Sequence, residues 1–415
     1  MKLSLIICIY NTERHYFDEC LSSVFLSLRA LSVSKAQNRD FEVCVIDDGS
    51  EFDYSDILKK YPLRYLKTEN RGIFMARLKG IEMALGEYIA FVDSDDLVSF
   101  NYHAPMLFAA EERGLDVVIN DWAFKSARSV YFCKNDSTLA ENIYAEGGEV
   151  IDLFFKKRGR EHSYYVLWNK LYRSSVIKRA SEIISNHGIA PGYNYSEDVL
   201  LNFYVFSIAS RVANIHTGYY LYRVHSSQSV AVASEERLKK QIDCMSMTFG
   251  FMRSALVDNS RDDLLSDLCS WEALMSRTHY SHARAKGYHD LYPLIREAYG
   301  AEVLQESIKS DSASYRHTEL LPDNYKSIDG AFADLCNGSR LVYARYDRKS
   351  RYINSCISGL GAIGIDVRYK RNSPVIPRPK NTLINRILHN RFIYSLATRI
   401  FKKGSPIRAF LKRFI

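Results

Sequence analysis

Over its first 120 residues the chain alternates short apolar runs with longer stretches of helical spacing. Leu3 to Ile9 is almost continuously apolar, the pattern of a strand covered on both faces. Glu13 to Leu31 follows with Phe17, Leu21, Val24 and Leu28 on one helical face. Phe41–Ile46 reads as a second strand, Tyr54–Lys60 as a short helix and Leu63–Leu66 as a third strand. Gly72 and Gly86 bracket a helix over Ile73–Leu85. A fourth strand, Tyr88–Val92, a helix over Phe100–Arg113 and a fifth strand, Val117–Asn120, complete the run. Strands alternating with helices predict βαβ units, hence an α/β, mostly parallel, Rossmann-like sheet.

Beyond Asn120 the pattern loosens. Ser129–Cys133, Val212–Ile215 and Tyr219–Val224 have strand character; Glu149–Lys157, Ser174–Ser185 and Glu197–Ala209 have helical spacing, with Ser196 placed to cap the last. From Glu235 to about Ile308 the text is helical. Arg340–Tyr346 and Ile363–Tyr369 are strand-like, and Pro374, Pro377 and Pro379 mark a linker. The expected organisation is an α/β domain over 1–230, a helical region over 231–335, a small appendage with linker over 336–380, and a tail over 381–415. Gly359-Leu-Gly361-Ala-Ile-Gly364 matches the dinucleotide GxGxxG pattern, but a strand-like segment and the proline linker follow it, and no acid lies beyond Asp366, so it is set aside.

The polar residues able to do chemistry fall at strand ends. Asn11 follows the first strand, Asp47-Asp48-Gly49-Ser50 the second, and Asp93-Ser94-Asp95-Asp96 the fourth. In open α/β sheets the carboxyl ends of strands line the ligand crevice. Clustered carboxylates suit a hard divalent cation that keeps open positions for phosphate oxygens. Each motif alone is also what a turn looks like, since Asp, Gly and Ser favour turns. Asn70-Arg71-Gly72 leads into a helix carrying Arg77 and Lys79, which suits an anionic ligand or an ordinary charged surface. Glu197-Asp198 opens another helix, where a carboxylate either answers the helix dipole or serves as a general base. His225, Trp168 and Lys170 are read either as ligand contacts or as structural residues.

Composition narrows the class. Apolar residues are 47% and charged residues 25% of 415, an ordinary globular balance. The net charge of +8 is uneven: residues 367–415 hold thirteen Lys or Arg and no acid, which leaves the rest at −5. That pattern excludes a basic nucleic-acid-binding core and points to a basic tail. In the tail, Leu383, Ile387, Tyr394, Ile400, Phe401, Phe410, Leu411 and Phe414 recur near helical spacing among the cations, as in helices that dock on anionic membranes. A helix packed on the body with a basic outer face gives the same pattern. The eight cysteines are scattered without a CxxC pair, as expected for free thiols in a reducing compartment. No signal peptide or membrane-spanning run is expected, which suggests a cytoplasmic protein, peripheral on the inner face of the cell membrane.

The order and spacing of Leu3–Asn11, Val45-Ile-Asp-Asp-Gly-Ser50, Asn70-Arg-Gly72 with Ala76-Arg77, and Gly86-Glu-Tyr-Ile-Ala-Phe-Val-Asp-Ser-Asp-Asp96 resemble the family 2 glycosyltransferases of the GT-A fold. Asn169-Lys-Leu-Tyr172, Glu197-Asp198 and Tyr222-Arg-Val-His225 are similar to bacterial members that build surface polysaccharides. The resemblance covers roughly residues 1–230. It implies a nucleotide-diphospho-sugar donor, expected to be a UDP-sugar, and a saccharide or lipid-linked acceptor. Donor contacts are implied at Tyr10, Asn11, Asp47, Asp48, Asn70, Arg77, Asp93 and Ser94, with Asp48 on the base and Asp93 near the ribose. A divalent cation, Mn²⁺ or Mg²⁺, is implied on Asp93, Asp95 and His225, and diphosphate or acceptor contacts at Lys170 and Trp168. Asp198 is implied as catalytic base, supported by Glu197, with inversion at the sugar carbon. Cys8 stands where the family commonly has Pro, and Leu78 where Asn commonly follows Ala-Arg. A catalytically silent nucleotide-sugar-binding or scaffold protein of the same fold is the alternative. A nucleotidyltransferase is disfavoured, because Leu3–Asn11 lacks a glycine-rich, cationic phosphate loop.

Overall fold

The computed structural model describes residues 1–33, 40–125, 130–132, 143–156, 162–223 and 234–300. His225, the GxGxxG segment, the two late strand-like runs and the basic tail lie outside these residues.

Strands β1 (Leu3–Ile9), β2 (Phe41–Asp47), β3 (Arg64–Lys67) and β4 (Tyr88–Phe91) form as their composition predicts. They pair in parallel in the order β3-β2-β1-β4. Helices α1 (Arg14–Val33), α2 (Ser55–Leu58) and α3 (Ile73–Met83) connect them. The apolar side chains of β1 point alternately to two cores. Leu3, Leu5, Ile7 and Ile9 meet the buried face of α1 at Phe17, Leu21, Val24 and Leu28. Ile6 meets Phe74 and Ile81 of α3. That packing is close: a Cβ on Gly80 would sit 2.4 Å from Ile6 Cγ2, so α3 lies nearer β1 than any side chain at position 80 permits.

The second half of the sheet departs from the expected simple alternation. After β5 (Leu97–Val98) and α4 (His103–Arg113), β6 runs over Val117–Lys125 and does not pair with β4. Between them lies β9 (Lys170–Arg173), which follows β7 (Val130–Phe132), β8 (Tyr144–Glu146), α5 (Glu149–Lys156) and α6 (His162–Tyr165) in the chain. It is antiparallel to both neighbours, with Ile89 opposite Tyr172 on one side and Val118 opposite Leu171 on the other. The sheet is therefore mixed, with the nucleotide-type parallel half intact.

Two expected strands merge into one, β10 (Arg211–Arg223), whose register on β6 breaks between Asn214 and Tyr219. Before it come α7 (Ser174–Asn186) and α8 (Glu197–Ile208). Three further helices follow: α9 (Glu235–Asp258), α10 (Leu265–Lys286) and α11 (Leu291–Tyr299). Their apolar faces join the same core as the sheet. Phe154 of α5 meets Phe203 and Phe206 of α8 and Trp271 of α10, and Phe249 of α9 meets Trp271. Among the described residues, α9, α10 and α11 thus share one apolar core with α5 and α8.

Candidate active site

Three parallel strands set the crevice. Ile9 lies opposite Asp47 in the ladder, and Val92 N–H donates to Ile6 O, so the residues after β1, β2 and β4 emerge side by side. Asn11 takes a left-handed φ of 48° there. Its N–H donates to Ser50 Oγ (3.0 Å), and its Oδ1 accepts from Glu51 N–H (2.8 Å). Thr12 Oγ1 and Ser94 Oγ are 2.7 Å apart. These short bonds tie the three strand ends into one rim, with Tyr10 exposed beside it.

The two acids after β2 are occupied by their own chain. Asp47 accepts from Ser50 N–H and the Tyr65 hydroxyl, both at 2.7 Å. Asp48 accepts from the N–H groups of Arg71 (2.9 Å) and Gly72 (2.8 Å), and so anchors the start of α3. Asn70, next to this anchor, is exposed. Gly72 has φ +96°, and a Cβ there would lie 2.0 Å from Asn194 Oδ1. The turn before α3 is therefore open only to glycine, and the loop before α8 packs directly onto it.

Arg77, on the buried side of α3, joins two distant parts of the chain. Its Nη2 donates to Asp93 Oδ1 (3.0 Å) and its Nη1 to Glu197 Oε1 (2.6 Å). The residue is 7% exposed. Asp93 and Glu197 both have raised pKa values because burial opposes their charge, with Arg77 working in the other direction. The resemblance implies a donor contact at Arg77, and the structure brings the residue between the acid after β4 and the acid pair of α8. Nothing in the local text signals a pairing across 120 residues.

Asp198 stands beside this bridge. It is half-buried, and one carboxylate oxygen accepts from Val199 N–H (2.8 Å). Burial and the charge of Glu197 push its pKa up to about 7, against the attraction of Arg77. Asp96 is different: it accepts from the Tyr220 hydroxyl (2.7 Å) and Arg223 N–H (2.6 Å), fully buried under β10. The Tyr220 hydroxyl also accepts from Asp93 N–H (3.0 Å), so one phenol fixes both ends of the acidic turn. Asp95 lies half-buried between them, and Arg223 Nε donates to its carbonyl (2.5 Å).

The remaining candidates sit deeper. Lys170 is fully buried in β9 and donates to Val166 O (2.5 Å) and Asn169 Oδ1 (2.9 Å). Trp168 is also buried, stacked on Tyr220 with centroids 4.4 Å apart. Ser196 occupies the N-cap position of α8 but makes no capping bond; its φ is +63° and its hydroxyl points elsewhere. Two carboxylates at the end of β4, Asp93 and Asp95, fit a hard cation that draws its other ligands from phosphate and water. No third His, Cys, Asp or Glu joins them among the described residues.

A parallel α/β half-sheet whose strand ends carry carboxylates, with a second acid pair brought in from a later helix, places these side chains where open α/β sheets bind ligands. Residues 4–177 match the model of glycosyl transferase family 2. EpsH of Bacillus subtilis (strain 168), which bears a provisional glycosyltransferase name, is 32% identical over 237 residues, covering 55% of this chain and 62% of that protein. Glycosyltransferase GlyA of Streptococcus pneumoniae serotype 4 is 23% identical over 335 residues, covering 79% of this chain and 44% of GlyA. The chain thus spans less than two thirds of either relative. The solved structure of S. aureus TarS 1–349 with UDP-GlcNAc superposes with a TM-score of 0.46 at 18% identity, covering 76% of this chain and 93% of that one. Glu197 and Asp198 lie beyond the stretch that the family model matches.

Proposed function

We propose that the protein is an inverting glycosyltransferase that moves a sugar from a nucleoside-diphosphate donor to an acceptor hydroxyl, with Asp198 as general base. The observation that carries this reading is the contrast among the acids. Asp47, Asp48, Asp93, Asp96 and Glu197 are engaged by donors of the chain itself. Asp198 commits one oxygen to a neighbouring N–H and has a pKa lifted to about 7, poised to accept a proton near neutral pH.

In this mechanism the acceptor oxygen forms its bond to the anomeric carbon as the carbon–oxygen bond to the diphosphate breaks. The proton of the acceptor hydroxyl passes to Asp198, and the bonding pair leaves with the nucleoside diphosphate. Attack opposite the leaving group inverts the carbon. Arg77 holds Glu197 in place, so that Asp198 is presented at a fixed position. Asp93 and Asp95 would hold Mg²⁺ or Mn²⁺, which when bound neutralises charge on the departing diphosphate. The acid-free, basic stretch 381–415 supports an acceptor held at an anionic membrane surface.

The test is a panel of nucleotide sugars, led by UDP-sugars, with Mn²⁺ or Mg²⁺, scored by nucleoside diphosphate release. Asp198→Asn is expected to lower turnover at least a hundredfold while retaining donor binding. Full turnover in that variant would refute the base assignment. No release and no thermal shift with any donor would favour a silent binding protein.

A further inference from the structure

The acid pair of α8 is held by a helix that the family match does not reach. Ser196, immediately before Glu197, sits in the left-handed region at φ +63°, which a residue with a side chain occupies only when its surroundings impose it. A serine at this position ordinarily turns its hydroxyl onto the first N–H groups of the helix. Here the hydroxyl lies 2.6 Å from Thr248 Oγ1, on α9. Ser196 Oγ also reaches Tyr195 O (2.5 Å) and Thr248 Oγ1 reaches Cys244 O (2.9 Å), so either hydroxyl can supply the proton that the pair shares. The Tyr193 hydroxyl also bonds to Thr248 Oγ1. Thr248 is fully buried, and Tyr193 and Ser196 nearly so.

The other end of this loop is pinned as well. Gly192 N–H donates to Arg71 O (3.2 Å), and Tyr193 lies edge-on to Phe74 of α3 with centroids 5.4 Å apart. The Asn194 side chain fills the space over Gly72. Residues 192–196 are thus clamped between the start of α3 and the middle of α9.

We propose that Thr248 is a positioning residue: its hydroxyl locks the left-handed turn at Ser196 and so fixes Glu197 and Asp198 in the crevice. The proposal rests on the reading of Asp198 as base. It also assigns α9 a part in the transfer reaction rather than a role in stability alone. A valine at 248 keeps the volume and removes the shared hydroxyl, so the buried hydroxyls of Tyr193 and Ser196 each lose a partner. A serine keeps the hydroxyl.

The experiment uses the full chain as wild type, Thr248→Val and Thr248→Ser, followed by amide hydrogen exchange without ligand. Thr248→Val is expected to speed exchange over residues 193–200 roughly fivefold or more, the loss of one hydrogen bond, while β1 and β4 stay unchanged. Thr248→Ser is expected to exchange as wild type. With the donor that the panel identifies, Thr248→Val is expected to lose kcat about tenfold at unchanged donor KM, with recovery in Thr248→Ser. Wild-type exchange over 193–200 in Thr248→Val, or acceleration spread evenly over the whole fold, would overturn the proposal. Asp198→Asn separates the two ideas: its full turnover removes the base assignment, whereas the exchange pattern reports on the lock alone.

Discussion

Replacing Arg77 by Met tests how much of the site depends on one buried cation. The substitution keeps the length of the side chain and removes both bonds of the bridge, to Asp93 and to Glu197. Removing one partner of a buried pair costs about 3–5 kcal/mol, because the other charge stays in place uncompensated. The Glu197 side chain is 10% exposed and takes most of that cost; Asp93, at 30%, is partly relieved by water. The expected loss at pH 8 is therefore about 3 kcal/mol. Both acids already have raised pKa values in the wild type, and losing the cation raises them further. A carboxyl whose folded pKa lies above its unfolded value contributes its full stability at low pH and loses it as pH rises. Falling pH therefore favours proton uptake by the two groups in the folded variant, and each tenfold gain in proton affinity returns about 1.4 kcal/mol. The deficit should then be smaller at pH 5 than at pH 8. Urea unfolding followed by fluorescence of Trp122, Trp168 and Trp271 reads this directly, since all three are buried in the described fold. An equal loss at pH 5 and pH 8, or a loss under about 0.5 kcal/mol at both, would show that the bridge does not hold the acids.

Further outcomes follow from the same geometry. The rate of donor turnover is expected to rise with unit slope up to about pH 7 and then level, as Asp198 loses its proton; a flat profile between pH 5 and 8 counts against Asp198 as base. By the linkage sign for a raised carboxyl, Asp198→Asn should stabilise the fold at pH 8 by about 2 kcal/mol and by little at pH 5, as unfolding at both values would show. Gly72→Ala is expected to cost about 2 kcal/mol and most of the activity, from positive φ and collision with Asn194; an unchanged melting temperature would refute the close fit. Deleting residues 381–415 should move the protein from the membrane to the soluble fraction, and an unchanged distribution would rule out docking through the tail.

The parallel half was legible because its strands are buried on both faces and so write themselves as unbroken apolar runs. β1, β2 and β4 lie within one or two residues of where the text puts them. β9 was not legible. Its four residues, Lys170-Leu-Tyr-Arg173, include two cations, and only pairing on both sides with β4 and β6 makes them a central strand. The long β10 was read as two strands because its polar middle interrupts the alternation where the register breaks. At the site, the strand-end acids could be found from order and spacing. Their partners could not: Tyr220 under Asp93 and Asp96, Arg77 between Asp93 and Glu197, and Thr248 behind Ser196 are all choices made by tertiary packing. Ser196 shows the limit well, because a residue suited to capping a helix turns its hydroxyl to Tyr195 O and Thr248 instead.

The central place of β9 also sets an order of assembly. A nascent chain that has reached residue 125 can pair β1 to β4 and can form β6, but the strand that joins β4 to β6 is not made until Arg173. Until then β4 and β6 each present a free backbone edge to whatever lies near, the usual template for association between chains. Fragments that end before Lys170 should therefore aggregate. The first cut that leaves those edges sealed falls after β9, close to where the family match ends at residue 177.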